Sequence, residues 1–226
     1  DACTDDQLDI EIFPDRPDLL SGETLAFAMA NFLHRAPATP DLDVMPSGIS
    51  ITVDRSLRDV RPVILGAVVR GVSVPGDAEG AETFIKGLMD HQEKLHFALG
   101  RRRQRASIGV HDLAHLAPPF HVKTVDQQHA FVPLAGERSM SIADILLHHP
   151  KGVEYANLLS GMTAYPLIVD ANEDVLSFPP IINGDHTTAT PRTRDFFIDV
   201  TGWDERACEA SLMLVSLQLA QWGGRV

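Results

Sequence analysis

Residues 176–201 read LSFPPIINGDHTTATPRTRDFFIDVT, and the rest of the chain is organised around them. The two ends of this stretch have the pattern of strands, Val175–Phe178 and Phe196–Val200, with apolar residues alternating or running together between turn signals. The span between them reads as unable to pair as sheet. Pro179-Pro180 removes two backbone donors, and Asn183-Gly184 is the commonest tight-turn dipeptide. Small hydroxyls then follow at Thr187, Thr188, Thr190 and Thr193, behind Asp185 and His186. So many short hydrogen-bonding side chains beside an apolar strand suit two arrangements. One is a hairpin turn with Asx and Ser/Thr caps; the other is a polar site, with Ser177, Asn183, Asp199 and Thr201 converging at one end of a sheet.

Upstream, Ile49–Val53 and Pro62–Val72 read as strands, the second apolar enough to be covered on both faces. A helix is predicted over Ala78–Leu99, where Ala81, Phe84, Ile85, Leu88, Leu95 and Leu99 recur at three- and four-residue steps. Gln92 falls on that stripe and should face inward, with Glu93 beside it. Short strands are predicted at Ala106–Val110, Phe120–Asp126 and Ala130–Leu134. Ser141 caps a helix to His148 with Asp144 at the capping-box position, Pro150-Lys151-Gly152 breaks it, and a second short helix runs to about Leu159. Tyr165–Asp170 and Asp174–Phe178 form a hairpin across residues 171–173, and Asp204 caps a last helix to Trp222.

Before residue 48, Leu8–Phe13 alternates as a strand, Ser21 caps an amphipathic helix to Leu33, and Arg35–Ser47 is a proline-bearing linker. Residues 1–47 are therefore expected to be the end of a preceding module plus linker, and residues 48–226 the main domain. The start at Asp1 suggests a piece of a longer protein. Two cysteines, Cys3 and Cys208, form no metal or redox motif, and no apolar run of membrane-spanning length or signal peptide occurs. A reducing, cytoplasmic setting follows as the expectation.

Charge says more. The net charge is −12, and of the 19 basic residues only Lys86, Lys94, Lys123 and Lys151 are lysines. An acidic, arginine-biased surface of this kind is expected of a protein from a halophile. Acidity argues against nucleic-acid binding, yet Arg101, Arg102, Arg103 and Arg105 form one dense positive run. The usual catalytic signatures fail. His111 and His115 lack an obvious third metal ligand, His148-His149 end a helix, and neither a phosphate loop nor a G-x-S-x-G elbow occurs.

Several blocks in order carry a family resemblance: DIEIFPDRPDLLSGETLA at 9–26, QEKLH at 92–96, RASIGVHDL at 105–113, FVPL at 131–134, ILLHHPKGVEYANLL at 145–159, YPLIVD at 165–170, VLSFPPIING at 175–184 and FFIDVTG at 196–202. The chain resembles the tRNA-editing domains of phenylalanyl-tRNA synthetase β subunits of the archaeal and eukaryal type. The resemblance implies an α+β fold, a mixed sheet with helices packed against it and a pocket at the sheet edge. It also implies hydrolysis of tyrosine mischarged on the phenylalanine tRNA. An apolar pocket rejects an isostere bearing an extra hydroxyl only about a hundredfold, so a second sieve is needed.

Family pocket positions fall on Gln92, Glu93, Arg103, Ile168, Ser177, Asn183, Asp199 and Thr201, with isoleucine at 168 where leucine is common. Gln92, Glu93, Arg103 and Asn183 are expected to hold the terminal adenosine, the ester and a hydrolytic water. Ser177, Asp199 and Thr201 would read the phenol, and Ile168 would pack its ring. Arg101, Arg102 and Arg105 are expected on tRNA phosphates. The resemblance implies no metal or other cofactor for this piece, ATP and Mg2+ being used elsewhere in the synthetase, and an α subunit as partner in an α2β2 assembly. A non-catalytic tRNA-binding or structural module of the same synthetase is the alternative.

Overall fold

The computed structural model describes residues 9–35 and 42–226. Along the chain run α1 (Gly22–Phe32), β1 (Ile51–Val53), β2 (Val63–Val69), α2 (Ala78–Ala98), β3 (Ala106–Asp112), β4 (Phe120–Val125), β5 (Ala130–Phe131) and β6 (Met140–Ser141). Then follow α3 (Ile142–His148), α4 (Pro150–Tyr155), β7 (Tyr165–Val169), β8 (Val175–Phe178), β9 (Ile182–Asn183), β10 (Phe196–Gly202) and α5 (Glu205–Gln221). The helices start where a side chain accepts from an exposed N–H: Ser21, Asp77, Ser141, His149 and Asp204 each cap one.

Two sheets share the interior. An antiparallel three-stranded sheet runs β2-β10-β3, and a mixed five-stranded sheet runs β1-β4-β7-β8-β9, parallel only between β1 and β4. This is the α+β class. Strand β10 lies at the centre of the smaller sheet and is buried along its whole length. Its period of two sorts its residues by face. Phe196, Ile198 and Val200 pack with Phe84 and Leu88 of α2 and Val215 and Leu219 of α5. Phe197 turns the other way, into a cluster with Phe120, Val122, Ile168 and Leu176 of the larger sheet. The outer face of that sheet is closed by Ile142 and Ile145 of α3 and by Leu159. Burying each such side chain stabilises by about 1.5–3 kcal/mol, so this double-sided burial is what holds the two sheets to their helices.

Three expectations change. The described part of the predicted strand at Leu8–Phe13 is irregular, with Ile10 and Phe13 exposed; an alternating pattern makes no strand without a neighbour to pair with. The span after Phe178 does pair as sheet. The chain reverses at residues 179–181, where Ile181 N–H donates to Phe178 O, and β9 returns along β8 with Asn183 opposite Ser177. Asn183-Gly184 is thus part of a ladder rather than a turn, and Gly184 N–H donates to Leu176 O. The predicted strand 130–134 stops at Phe131, because Pro133 offers no donor and Leu134 N–H crosses to Asn183 O. Cys3 and the prolines of the linker at 37 and 40 lie outside the described residues.

Candidate functional site

A cavity of about 590 Å³ opens where α2, β3, β10 and the 177–189 segment meet. Its position follows from a defect in the sheet. β3 is the outer strand of its three, so its free edge needs partners. α2 supplies them: Gln92 Nε2 donates to Ile108 O at 2.6 Å, and Ile108 N–H donates to His96 Nε2 at 2.8 Å. Burial lowers the His96 pKa, so the ring is neutral and free to accept at Nε2. The helix is thereby held against the strand, and the cavity lies beside this seam.

Glu93, half-exposed on α2, faces two cations and the neutral His96 ring. Arg103 Nη2 is 2.7 Å away, His96 Nδ1 3.4 Å and Lys151 Nζ 3.9 Å. The hydrogen bond from His96, with the Arg103 and Lys151 charges, holds the carboxyl down at about 2 despite partial burial. It is a fixed anion, too weak a base to take a proton from water near neutral pH.

The arginine run turns sharply. Arg101, Arg102 and Arg103 take φ of 45°, 53° and 66°, three consecutive left-handed residues without a glycine. The turn throws Arg101 and Arg102 outward and Arg103 inward. Arg103 Nη1 donates to Pro180 O at 3.2 Å and Ile181 O at 2.9 Å, while its guanidinium lies 4.4 Å from the Tyr155 ring centroid. It ties the 179–181 reversal to α2 and α4. Of its outward neighbours, Arg102 rests on Phe97 at 5.5 Å, and Arg105 sits 3.6 Å from Asp204.

Gln92, Glu93, Arg103, Ser177, Asn183 and Asp199 all line the cavity. Ile168 and Thr201 do not. Ile168 is fully buried between the sheets, opposite Ser177 in the β7–β8 register. Thr201 lies behind Ser107, accepting from Arg61 Nε at 2.7 Å and standing 3.0 Å from the Ser107 hydroxyl. Asp199 Oδ2 is 2.9 Å from His111 Nε2.

Most of the hydroxyls after Gly184 serve the loop itself. Thr188 donates to Asp185 O, and Thr193 donates to Asp112 and accepts from Thr190 N–H. Among the described residues, Gln92 Oε1, the Asn183 amide, the Ser177 hydroxyl and Asp199 Oδ1 carry no hydrogen bond, so they are among the cavity's polar atoms left for a ligand.

A model of the B3/4 domain matches residues 77–217, which contain every cavity residue named above. The chain belongs to the B3/4 domain family. It is 48% identical over 222 residues to the phenylalanine–tRNA ligase beta subunit of Methanosarcina acetivorans, covering 98% of this chain and 39% of that one. It is 46% identical to the one from Methanothrix thermoacetophila, covering 98% and 40%. The chain thus spans about two fifths of the length of these relatives. A crystal structure of an N-terminal fragment of the phenylalanyl-tRNA synthetase beta-subunit from Pyrococcus horikoshii superposes with a TM-score of 0.87. It is 34% identical and covers 94% of this chain and 60% of that one.

Two residues of this B3/4 domain carry weight that sequence reasoning missed. Arg61 is buried, donates to the Thr201 hydroxyl and carbonyl, to Ser107 and to Arg103 O, and makes no ion pair among the described residues. Burial pulls its pKa down to about 10, which leaves it a cation behind the cavity wall. Its partners lie 42 to 140 residues away, and no local pattern announces it. His111 is the other. In sequence its four-residue spacing from His115 reads only as a metal pair without a third ligand; it is spent on Asp199 and Thr187, while His115 Nδ1 meets His186 O. Among the described residues no three His, Cys, Asp or Glu side chains gather around a common metal position. No helix among them is long and apolar enough to cross a membrane.

Proposed function

We propose that this B3/4 domain is the editing domain of a phenylalanyl-tRNA synthetase β subunit, and that it hydrolyses the ester of tyrosine mischarged on the phenylalanine tRNA. The observation that supports this reading best is the gathering of Gln92, Glu93, Arg103, Ser177, Asn183 and Asp199 around one cavity. The tyrosyl ring enters between Ser177 and Asp199, whose unpaired oxygens meet the phenol hydroxyl. Gln92 Oε1 and the Asn183 amide, both from residues that line the cavity, hold the ester and the terminal adenosine. Glu93 is pinned as an anion and Arg103 is a guanidinium cation held by Glu93 and Ile181 O, so neither acts as a base at neutral pH. The attacking water is positioned by these groups, with help from the ribose hydroxyl. Ile168 and Thr201 act behind the wall, Ile168 by setting the register of Ser177 and Thr201 by anchoring Ser107.

In this reading the partners are the 3′ end of the tRNA and the α subunit of an α2β2 synthetase in the cytoplasm. ATP and Mg2+ act elsewhere in that assembly. Residues 1–47 belong to a preceding module and 48–226 to the editing domain, although Glu23 of α1 already accepts from Gln218 and Trp222 across that boundary. The acidic surface is an adaptation to concentrated salt. The test is deacylation: the chain should hydrolyse Tyr-tRNA and spare Phe-tRNA made on the same tRNA. Binding of both without turnover would favour the alternative, a non-catalytic tRNA-binding module.

A further inference from the structure

Across from Asp199 in the β10–β3 register stands Gly109, and His111 follows it on the same face of β3. A methyl group at Gly109 would lie 1.8 Å from Asp199 Oδ2 and 2.7 Å from His111 Nε2. Only glycine leaves room for the two side chains to meet across the strands. Both are buried, at 2% and 0% exposure, and the His111 ring is stacked on Phe197 with centroids 5.8 Å apart. His111 Nδ1 lies 2.8 Å from the Thr187 hydroxyl, and that hydroxyl donates to Gly184 O at 2.9 Å.

The protons can be counted. Thr187 has one hydroxyl proton; where Gly184 O, which can only accept, receives it, the hydroxyl accepts toward His111. His111 Nδ1 therefore carries a proton. One further proton must then lie between Nε2 and Asp199 Oδ2, whether written as imidazolium and carboxylate or as imidazole and carboxylic acid. In both forms that proton stays on the His111 side of Asp199, and Oδ1, which makes no hydrogen bond among the described residues, is an acceptor only.

We infer that His111 is a specificity-positioning residue: with Thr187 it locks Asp199 so that the cavity presents a pure hydrogen-bond acceptor to the para position of an aromatic ligand. This rests on the editing reading for the identity of the ligand, but the proton arrangement does not. The pocket should take a ring whose para substituent donates a hydrogen bond and reject one whose para oxygen is methylated. A ligand that cannot donate leaves a buried acceptor unpaired, which is worth roughly 5- to 150-fold in affinity.

The experiment has two arms on the same chain. Histidine-selective 15N–1H correlation reads the His111 ring in the wild type, and should show a protonated Nδ1. Titration with L-tyrosine and with O-methyl-L-tyrosine should show tyrosine binding at least about tenfold tighter. His111→Gln should reduce that preference below about threefold, and Thr187→Val, which removes the acceptor for Nδ1 with little change in shape, should reduce it too. An unprotonated Nδ1 overturns the inference. So does a preference that survives in a folded His111→Gln or in Thr187→Val; should His111→Gln not fold, the other variant and the wild-type ring decide. A chain with the tyrosine preference intact but no ester hydrolysis would overturn the hydrolase reading and leave this inference standing.

Discussion

Arg103 offers the sharpest distinction between holding a wall and holding a tRNA. Arg103→Lys keeps the charge but replaces a planar fork by a point donor. Lost are the paired contacts to Pro180 O and Ile181 O, at 3.2 and 2.9 Å, and the stacking on Tyr155 at 4.4 Å. Each carbonyl bond contributes about 1 kcal/mol and the stacking about 0.5–2 kcal/mol. The ion pair with half-exposed Glu93 adds little, since a lysine retains most of it and solvent screens the rest. A lysine ammonium can still donate to one of the two carbonyls, so the net loss is about 2 kcal/mol, centred on the 179–183 segment that carries Asn183. If turnover requires that segment in place, the rate constant for Tyr-tRNA deacylation should fall roughly 30-fold. Tyr-tRNA affinity and its salt dependence should stay within about twofold, because Arg103 is buried and spends its donors inside the protein. Single-turnover deacylation at saturating and subsaturating enzyme separates the two. A variant that loses affinity and salt slope while keeping its rate would show that Arg103 binds phosphate, and the positioning argument would fall.

Neutralising Arg101, Arg102 and Arg105 to glutamine should weaken tRNA binding uniformly across tRNAs and lower the salt slope by roughly 0.7–0.9 for each lost phosphate contact. Arg105 should contribute least, since Asp204 already stands 3.6 Å away; unchanged binding in the triple variant would make the run a solvated face. The carboxyl of Glu93 is depressed from 4.5 to about 2, so its stabilising effect is complete above pH 4.5 and disappears as pH falls through about 2. Half exposure reduces that contribution to on the order of 1 kcal/mol, and the difference in urea stability between wild type and Glu93→Gln should shrink across that window; a constant difference would refute the assignment. With a net charge of −12, the melting temperature should rise with KCl into the molar range, where the Debye length is about 3 Å. A flat or falling curve would dispose of the salt-adapted surface.

What could be read in advance, and what could not, divides by distance along the chain. The apolar stripe of α2 put Gln92 inward, and FFIDVTG put Asp199 and Thr201 on one face, because both inferences use periods of a few residues. Where those faces point is a matter of register. Thr201 turned out to serve Arg61 and Ser107 rather than the cavity, since Ser107 opposite it intervenes. A readable signal for His111 did exist. In ASIGVHD, Ala106, Ile108 and Val110 form one apolar line, and Ser107, Gly109 and His111 a small or polar one, so a strand carried past Val110 would have placed His111 on the site face. Reading the histidine by its spacing to His115 hid that alternation. The return strand Ile182–Asn183 was obscured in a similar way, since Asn-Gly marks a turn by local preference and only the ladder to Ser177 overrides it.

The two faces of β10 explain how polar groups come to line the cavity from a strand with no exposed residue. Phe196, Ile198 and Val200 give their whole side chains to the helices, and this apolar burial holds the strand in place. Facing the other way, Phe197 gives way to Asp199, which lines the cavity, and to Thr201. Polar groups there would destabilise the interior unless each found a partner. Thr201 has Arg61 and Ser107, Asp199 has His111, and His111 has Thr187. The partners lie behind and beside the wall, which leaves Asp199 Oδ1 and the Ser177 hydroxyl unpaired in residues that line the cavity, where Arg103 Nε is also buried without a partner. The prediction that follows is a difference in kind between neighbours. Asp199→Asn, by placing an amide where an acceptor stood, should abolish the tyrosine preference while the melting temperature moves little. Thr201→Val should do the reverse, stripping Arg61 of a buried acceptor and costing about 1–3 kcal/mol of stability with the preference largely kept. Paired thermal melts and tyrosine titrations decide it, and equal effects from both substitutions would mean that no such division between wall and support exists.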